Sequence, residues 1–207
     1  MKVLLINGSP NKDGCTYTAL SEIEKELNKE NIETEIFQIG NKPIRGCTSC
    51  EKCENNRCVF NDDIVNTVLE KCENIDGLIV GSPVYYSSPN GAVISLLDRM
   101  FYSGGRLLKY KPAAAIVSAR RAGTTSSLDV LNKYFTISNM PVVSSQYWNM
   151  VHGNDAEEVK EDLEGLQIMR TLGRNMAWLL KCIEAGKEKG INIPHSVEKR
   201  QFTNFIR

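Results

Sequence analysis

The amino-acid sequence predicts an α/β fold in which a doubly wound, five-stranded parallel sheet carries helices on both faces. Two observations predict it. Short apolar runs alternate along the chain with stretches of helical periodicity, and several runs are continuously apolar, as in strands covered on both sides. Right-handed crossovers then distribute the helices over the two faces.

The elements follow in order. Lys2 to Asn7 (KVLLIN) is the first strand, and Gly8-Ser9-Pro10 leads into a helix over about Thr16 to Asn31, with Leu20, Ile23 and Leu27 on one face. Thr34 to Ile39 reads as the second strand, followed by a cysteine-rich loop at 46–61 and a helix over Asp62 to Cys72 striped by Val65, Val68 and Leu69. Gly77 to Gly81 is a third strand. A loop over Ser82 to Asn90 precedes a helix over Ala92 to Phe101 that turns Leu96, Leu97 and Met100 inward. Ala113 to Ser118 gives the fourth strand, Ser126 to Thr136 a helix, and Met140 to Ser144 the fifth strand. Glu157 to Lys187 carries a long helical pattern with room for a break. The last stretch, about 190–207, reads either as an arm reaching a neighbouring subunit or as a frayed tail.

Composition narrows the class. The chain has 207 residues, 42% of them hydrophobic, and no stretch of about eighteen apolar residues, so one soluble domain over 1–207 is expected and no membrane span. Twenty-five basic residues balance twenty-five acidic ones, which argues against nucleic acid or an anionic membrane as partner. The start lacks a cationic leader, so a cytoplasmic location is expected. In such a compartment seven cysteines do not read as a disulfide framework. Cys72 and Cys182, within helical patterns, read as small buried hydrophobes.

In open parallel sheets, ligands bind beyond the carboxyl ends of the strands. The loop after the first strand, Gly8 to Thr18, opens directly into a helix, whose free N–H groups together with the hydroxyls of Ser9, Thr16 and Thr18 suit a phosphate. The loop lacks both the dinucleotide glycine spacing and the Gly-Lys-Ser/Thr ending of triphosphate loops, which favours a mononucleotide. A turn merely capped by Ser or Thr would look the same.

The most specific chemical signal is Cys47-x2-Cys50-x2-Cys53-x4-Cys58. Three thiolates three residues apart wrap one face of a cuboidal [4Fe-4S] cluster, and a fourth closes it. Zinc, which prefers two separated pairs, and no metal at all are the alternatives. His152 and His195, the only histidines, show no metal or nucleophile pattern.

Gly8-Ser9-Pro10, Gly81-Ser82-Pro83-Val84-Tyr85-Tyr86 and Ala119-Arg120-Arg121-Ala122-Gly123-Thr124 together resemble the FMN-binding loops of the NADPH-dependent FMN reductase family, within the flavodoxin superfamily. With the cysteines included, the chain is similar to iron-sulfur flavoproteins. The resemblance implies a flavodoxin-like fold and FMN as cofactor. Ser9, Asn11, Cys15, Thr16 and Thr18 would line the phosphate pocket. Pro83, Val84, Tyr85, Tyr86, Ser87 and Ser88 would flank the isoalloxazine, and Ser118, Ala119, Arg120, Arg121 and Gly123 would approach its pyrimidine edge. Flat Tyr85 and Tyr86 suit a planar ring, and positive charge at Arg120 and Arg121 suits the reduced flavin. Two positions depart from the family: Asn11 stands where Arg is frequent, and Cys15 where Asn or Ser is. Lys12 can supply the missing charge.

The implied function is an FMN-dependent oxidoreductase or electron-transfer flavoprotein of the iron-sulfur type. Its electron donor would be NAD(P)H or a ferredoxin and its acceptor a small molecule or protein, in a homodimer or homotetramer. Alternatives are an FMN or quinone reductase without a cluster, a flavodoxin-like carrier, and a zinc interaction module.

Overall fold

A computed structural model describes residues 1–194, 198–199, 201–203 and 205. Strand β1 (Lys2–Asn7) lies inside the sheet because Val3, Leu4, Leu5 and Ile6 are apolar toward both faces and all fully buried. It pairs in parallel with β2 (Glu33–Gln38), Val3 opposite Thr34, and with β3 (Gly77–Tyr85), Val3 opposite Gly77. A two-residue strand, β4 (Ser88–Pro89), folds back antiparallel on the end of β3. Beyond β3 come β5 (Ala113–Ala119) and β6 (Met150–His152), both parallel, so the order is β2-β1-β3-β5-β6. With the short return strand set aside, this is the flavodoxin-like winding, whose direction reverses between β1 and β3.

Helices cover both faces. On one side α1 (Cys15–Lys29) and α6 (Leu163–Glu188) bury Leu20, Ile23, Leu27, Met169, Leu172 and Met176 against Val3, Leu5, Ile79, Ala114 and Ile116. On the other, α2 (Val65–Glu73), α3 (Gly91–Gly104) and α4 (Thr124–Ile137) close over Leu4, Ile6, Leu78, Val80, Ala115 and Val117. Successive strand residues point to opposite faces, so one continuous apolar run supplies both cores. Each such side chain stabilises the fold by about 1.5–3 kcal/mol through burial. The seam between α1 and α6 is tight, since a Cβ on Gly173 would stand 2.8 Å from Glu26 Cβ. Arg170 and Arg174 flank it with ion pairs to Glu22 and Glu26.

The fifth strand differs from its expected place. The run Met140 to Ser144 touches the sheet only where Val142 bridges Ala113; the chain then leaves and returns as β6 at Met150–His152. Inside that excursion Asn149 substitutes for ladder contacts, its Nδ2 donating to Ala115 O at 3.1 Å and its carbonyl accepting from Val117 N at 3.0 Å. The third strand runs past Gly81 to Tyr85; Pro83, lacking an N–H, is tolerated near the strand's end. The long C-terminal pattern breaks at Asp162, whose side chain caps α6 by accepting from Gly165 N, leaving a short α5 (Ala156–Glu161) before it. Cys72 is buried, as expected, but Cys182 is exposed on α6, because its position falls off the buried Leu172, Met176 and Leu180 stripe.

No helix among the described residues is long and apolar enough to cross a membrane. The stretch at about 190–207, expected as an arm or tail, falls partly outside the described residues, as does His195; its described part forms no regular element.

Candidate functional site

The loops after β1, β3 and β5 meet at the carboxyl edge of the sheet, beside the reversal between β1 and β3. Gly8 N donates to Gly81 O at 2.9 Å, and Asn90 Nδ2 donates to Gly8 O at 3.0 Å. Asn90 also caps α3 through Ala92 N, so one side chain ties the first loop to the start of that helix. The approach demands glycine: a Cβ on Gly8 would lie 2.5 Å from Gly81 O and 2.1 Å from Val93 Cγ2.

Within the first loop the expected hydroxyls have uneven tasks. Buried Ser9 donates its backbone N–H to Asn7 Oδ1 at 3.1 Å, and its Oγ accepts from Asn11 N at 3.1 Å. Gln38 Nε2 donates to Ser9 O at 2.6 Å. Thr16 turns inward, its hydroxyl 2.8 Å from that of Ser118, which locks α1 to the end of β5. Thr18 donates to Gly14 O, and Cys15 Sγ to Gly153 O at 3.6 Å. The donors this loop leaves open are therefore mainly backbone. Gly14 at the start of α1 offers no side-chain cap and the first turn holds no acidic residue, so its N–H groups are open to an anion. Asn11 and Lys12 are exposed beside them.

The third loop is a hairpin. Tyr85 pairs with Ser88, and the two turn residues Tyr86 and Ser87 both hold left-handed φ angles, 51° and 60°. Neither is Gly, Asn or Asp, so the turn stores strain, a pattern concentrated at ligand sites. Tyr86 projects fully into solvent and Tyr85 is exposed. Gly123, at φ 91°, lets the loop after β5 pack under this hairpin: a Cβ there would stand 2.7 Å from Ser87 Cα and 3.0 Å from Val84 Cγ1. Ser126 Oγ adds a bond to Ser87 O at 2.8 Å. Arg120 and Arg121 are exposed at the same edge and have no ion-pair partner among the described residues. Pro83 and Ala119 complete the rim at the ends of β3 and β5.

The four clustered cysteines line one cavity, walled also by Phe60, Arg99 and Tyr102. Cys47 is exposed, Cys50 and Cys53 are half-buried, and Cys58 is buried. Cys58 is the fixed member. Asn66 clamps its backbone, accepting from Cys58 N and donating to Cys58 O, both at 2.9 Å. Arg99 Nε donates to Cys58 Sγ at 3.3 Å. The rest of that guanidinium, 1% exposed, pairs with Asp63 and donates to Phe60 O at 3.1 Å and Arg45 O at 3.2 Å. Burial first, then neighbouring Cys58, Cys50 and Cys47, push the Cys53 thiol above its usual range. Gathered thiolates repel one another, and a cation in their midst relieves that repulsion. Cys72, by contrast, is pushed up to about 12 by burial and is inert.

The donor set suits iron and sulfide chemically. Geometrically, no group of three or more His, Cys, Asp or Glu among the described residues is already arranged to hold a metal ion. The cavity measures about 10 Å³, the room of one water, so a cluster needs Cys47, Cys50 and Cys53 to swing outward about Cys58. They lie on a loop that, apart from the Glu54–Arg57 bridge, has no regular structure to prevent this.

Helix α3 connects the two regions. Asn90 at its start holds Gly8, a Cβ on Gly46 would lie 3.9 Å from Ser95 Oγ, and Arg99 reaches Cys58. At about 1.5 Å per residue these points are spaced about 8 and 14 Å along one axis from Asn90. Arg99, Asn66 and Asn90 were not singled out from sequence. Asn90 had a signal, an Asn directly before a helical pattern; Arg99 had a faint one, three residues after core Leu96.

The family model described as NADPH-dependent FMN reductase matches residues 1–155. An iron-sulfur flavoprotein of Methanocaldococcus jannaschii is 32% identical over 193 residues, covering 89% of this chain and all of that one. Among solved structures, a flavodoxin from the domain Archaea superposes with a TM-score of 0.60 at 14% identity, over 87% of this chain and 99% of that one. RosB, solved with bound 8-demethyl-8-formylriboflavin-5'-phosphate, gives 0.70 at 15% identity, over all of this chain and 94% of that one. At these identities the two structures show the fold alone.

Proposed function

Because the chain belongs to the NADPH-dependent FMN reductase family and has iron-sulfur flavoproteins among its relatives, we propose that this FMN-dependent oxidoreductase relays electrons between FMN at the sheet edge and a [4Fe-4S] cluster held by Cys47, Cys50, Cys53 and Cys58. The observation that carries the reading is α3, which fixes the first loop at one end and the cysteine cavity further along. Such a pair supplies two-electron chemistry at the flavin and single electrons at the cluster.

The residues have these parts. The open first turn of α1, with Ser9 and Asn11 shaping the approach, holds the phosphate. Cys15, Thr16 and Thr18 support the pocket from behind through their bonds to Gly153, Ser118 and Gly14. The hairpin of Pro83, Val84, Tyr85, Tyr86, Ser87 and Ser88 gives the ring a stiff wall. Ser118, Ala119 and Gly123 bring backbone close to the pyrimidine edge, where Arg120 and Arg121 stabilise the charge gathered on reduction. Arg99 and Asn66 hold Cys58 as the fixed ligand about which Cys47, Cys50 and Cys53 would arrange. NAD(P)H or a ferredoxin supplies electrons, and a small molecule or protein removes them.

Anaerobic reconstitution with FMN, iron and sulfide tests this. About four irons and four sulfides per chain are expected, and Cys58→Ala should abolish them while FMN occupancy stays unchanged. FMN bound with no iron retained by the native protein would leave a simple FMN reductase.

A further inference from the structure

Next to the cysteine cavity, and sharing Glu51, Cys53 and Tyr102 with it, lies a cleft of about 630 Å³. That volume is typical of sites for small organic ligands. It is separate from the loops after β1, β3 and β5, none of which lines it.

The cleft is rigidly built on one side. Asn55 and Asn56 form a two-residue turn with φ angles of 50° and 59°, closed by reciprocal bonds between Glu54 and Arg57. Asparagine is among the side chains that take this conformation most readily. The turn rests on the end of α3, where a Cβ on Gly104 would come within 3.1 Å of Asn56 O. Two amides are thereby presented at the wall.

The charge is unbalanced. Arg106 and Lys109 line the cleft, and neither has a carboxylate partner among the described residues, although thirteen Lys or Arg ion pairs form elsewhere among them. Glu51 is the one opposing charge in the lining, which leaves an excess of one positive charge. Tyr102 is 57% exposed, so its ring is free to stack. Cations without carboxylate partners, of which Lys109 lies 5.7 Å over the Tyr110 ring, together with donor amides and a free aromatic ring select a planar ligand with a negative group.

We propose that this cleft binds a planar, anionic electron carrier of quinone type, with its ring against Tyr102 and Cys53 and its anionic group on Arg106 and Lys109. As a binding site it stands on the cleft alone. Its use as the door through which single electrons leave or reach the cysteines rests on the function proposed above.

The test uses the full chain loaded with FMN, and anthraquinone-2-sulfonate as the probe, titrated by fluorescence with and without iron. Saturable binding is expected. It should weaken about 10-fold in Arg106→Gln and about 10-fold again when Lys109→Gln is added, as for lost hydrogen bonds to charged groups. Tyr102→Leu should also weaken it, raised salt should weaken it in the native protein but much less in the double variant, and FMN occupancy should be unchanged throughout. The neutral analogue 2-(hydroxymethyl)anthraquinone should bind at least about 10-fold less tightly than the sulfonate. Absent saturable binding, equal affinity for the two quinones, or an unchanged affinity in the double variant would each overturn the proposal. Binding that is normal in iron-free protein while reconstitution fails would overturn the cluster and leave the cleft standing.

Discussion

Replacing Arg99 by Leu should destabilise the protein by about 3–5 kcal/mol, the usual cost of removing one partner of a buried ion pair. Asp63 is 6% exposed in its side chain and Arg99 1%, so little water can replace the lost guanidinium. The change also strips donors from Phe60 O and Arg45 O and releases Cys58 Sγ. Urea unfolding of the FMN-loaded protein measures the loss. The double variant Arg99→Leu with Asp63→Asn should regain part of it, because the stranded charge is gone. A single variant within about 1 kcal/mol of native would mean that this network does not hold the cysteine loop to α3.

Gly8→Ala should have its main effect on the flavin. The new methyl meets Gly81 O at 2.5 Å and Val93 Cγ2 at 2.1 Å. Val93 can yield, but the carbonyl belongs to a central strand and cannot, so the loop itself has to move. Overpacking of this kind costs about 1–3 kcal/mol. Displacement of the backbone proposed to hold the phosphate would remove several hydrogen bonds to an anion, each about 1.5–3 kcal/mol. FMN affinity measured by fluorescence quenching should fall at least about 100-fold, and adding Val93→Ala should restore stability more than affinity. Equal recovery of both would show that Val93, rather than the loop position, was the obstacle.

Much of this arrangement is legible in the sequence, for reasons that also explain what is not. The strands at Lys2, Gly77 and Ala113 are buried on both faces, and an apolar run surrounded by turn residues has few other uses. The run at Met140 misleads because apolar composition does not separate a strand from a segment that only borders one; three residues at Met150 are too short to announce themselves. The hairpin of Tyr86 and Ser87 is invisible because its left-handed residues are not those that favour that conformation. Thr16 reads as a phosphate ligand from its place in the loop, but its hydroxyl's bond to Ser118, a partner 102 positions away, leaves no trace in local spacing. Spacing reveals the four cysteines; it cannot reveal that Arg99, flanked by Asp98 and outwardly an ordinary helical cation, is buried against one of them.

Electron counting tests the relay most directly. Protein carrying FMN and reconstituted anaerobically with iron and sulfide is titrated with a strong one-electron reductant, and absorbance and electron spin resonance are followed together. About three electrons per chain are expected, two for the flavin and one for a [4Fe-4S] centre, falling to about two in Cys58→Ala with the flavin bands unchanged. An uptake of two electrons by the native protein, the same as in the variant, would contradict the relay.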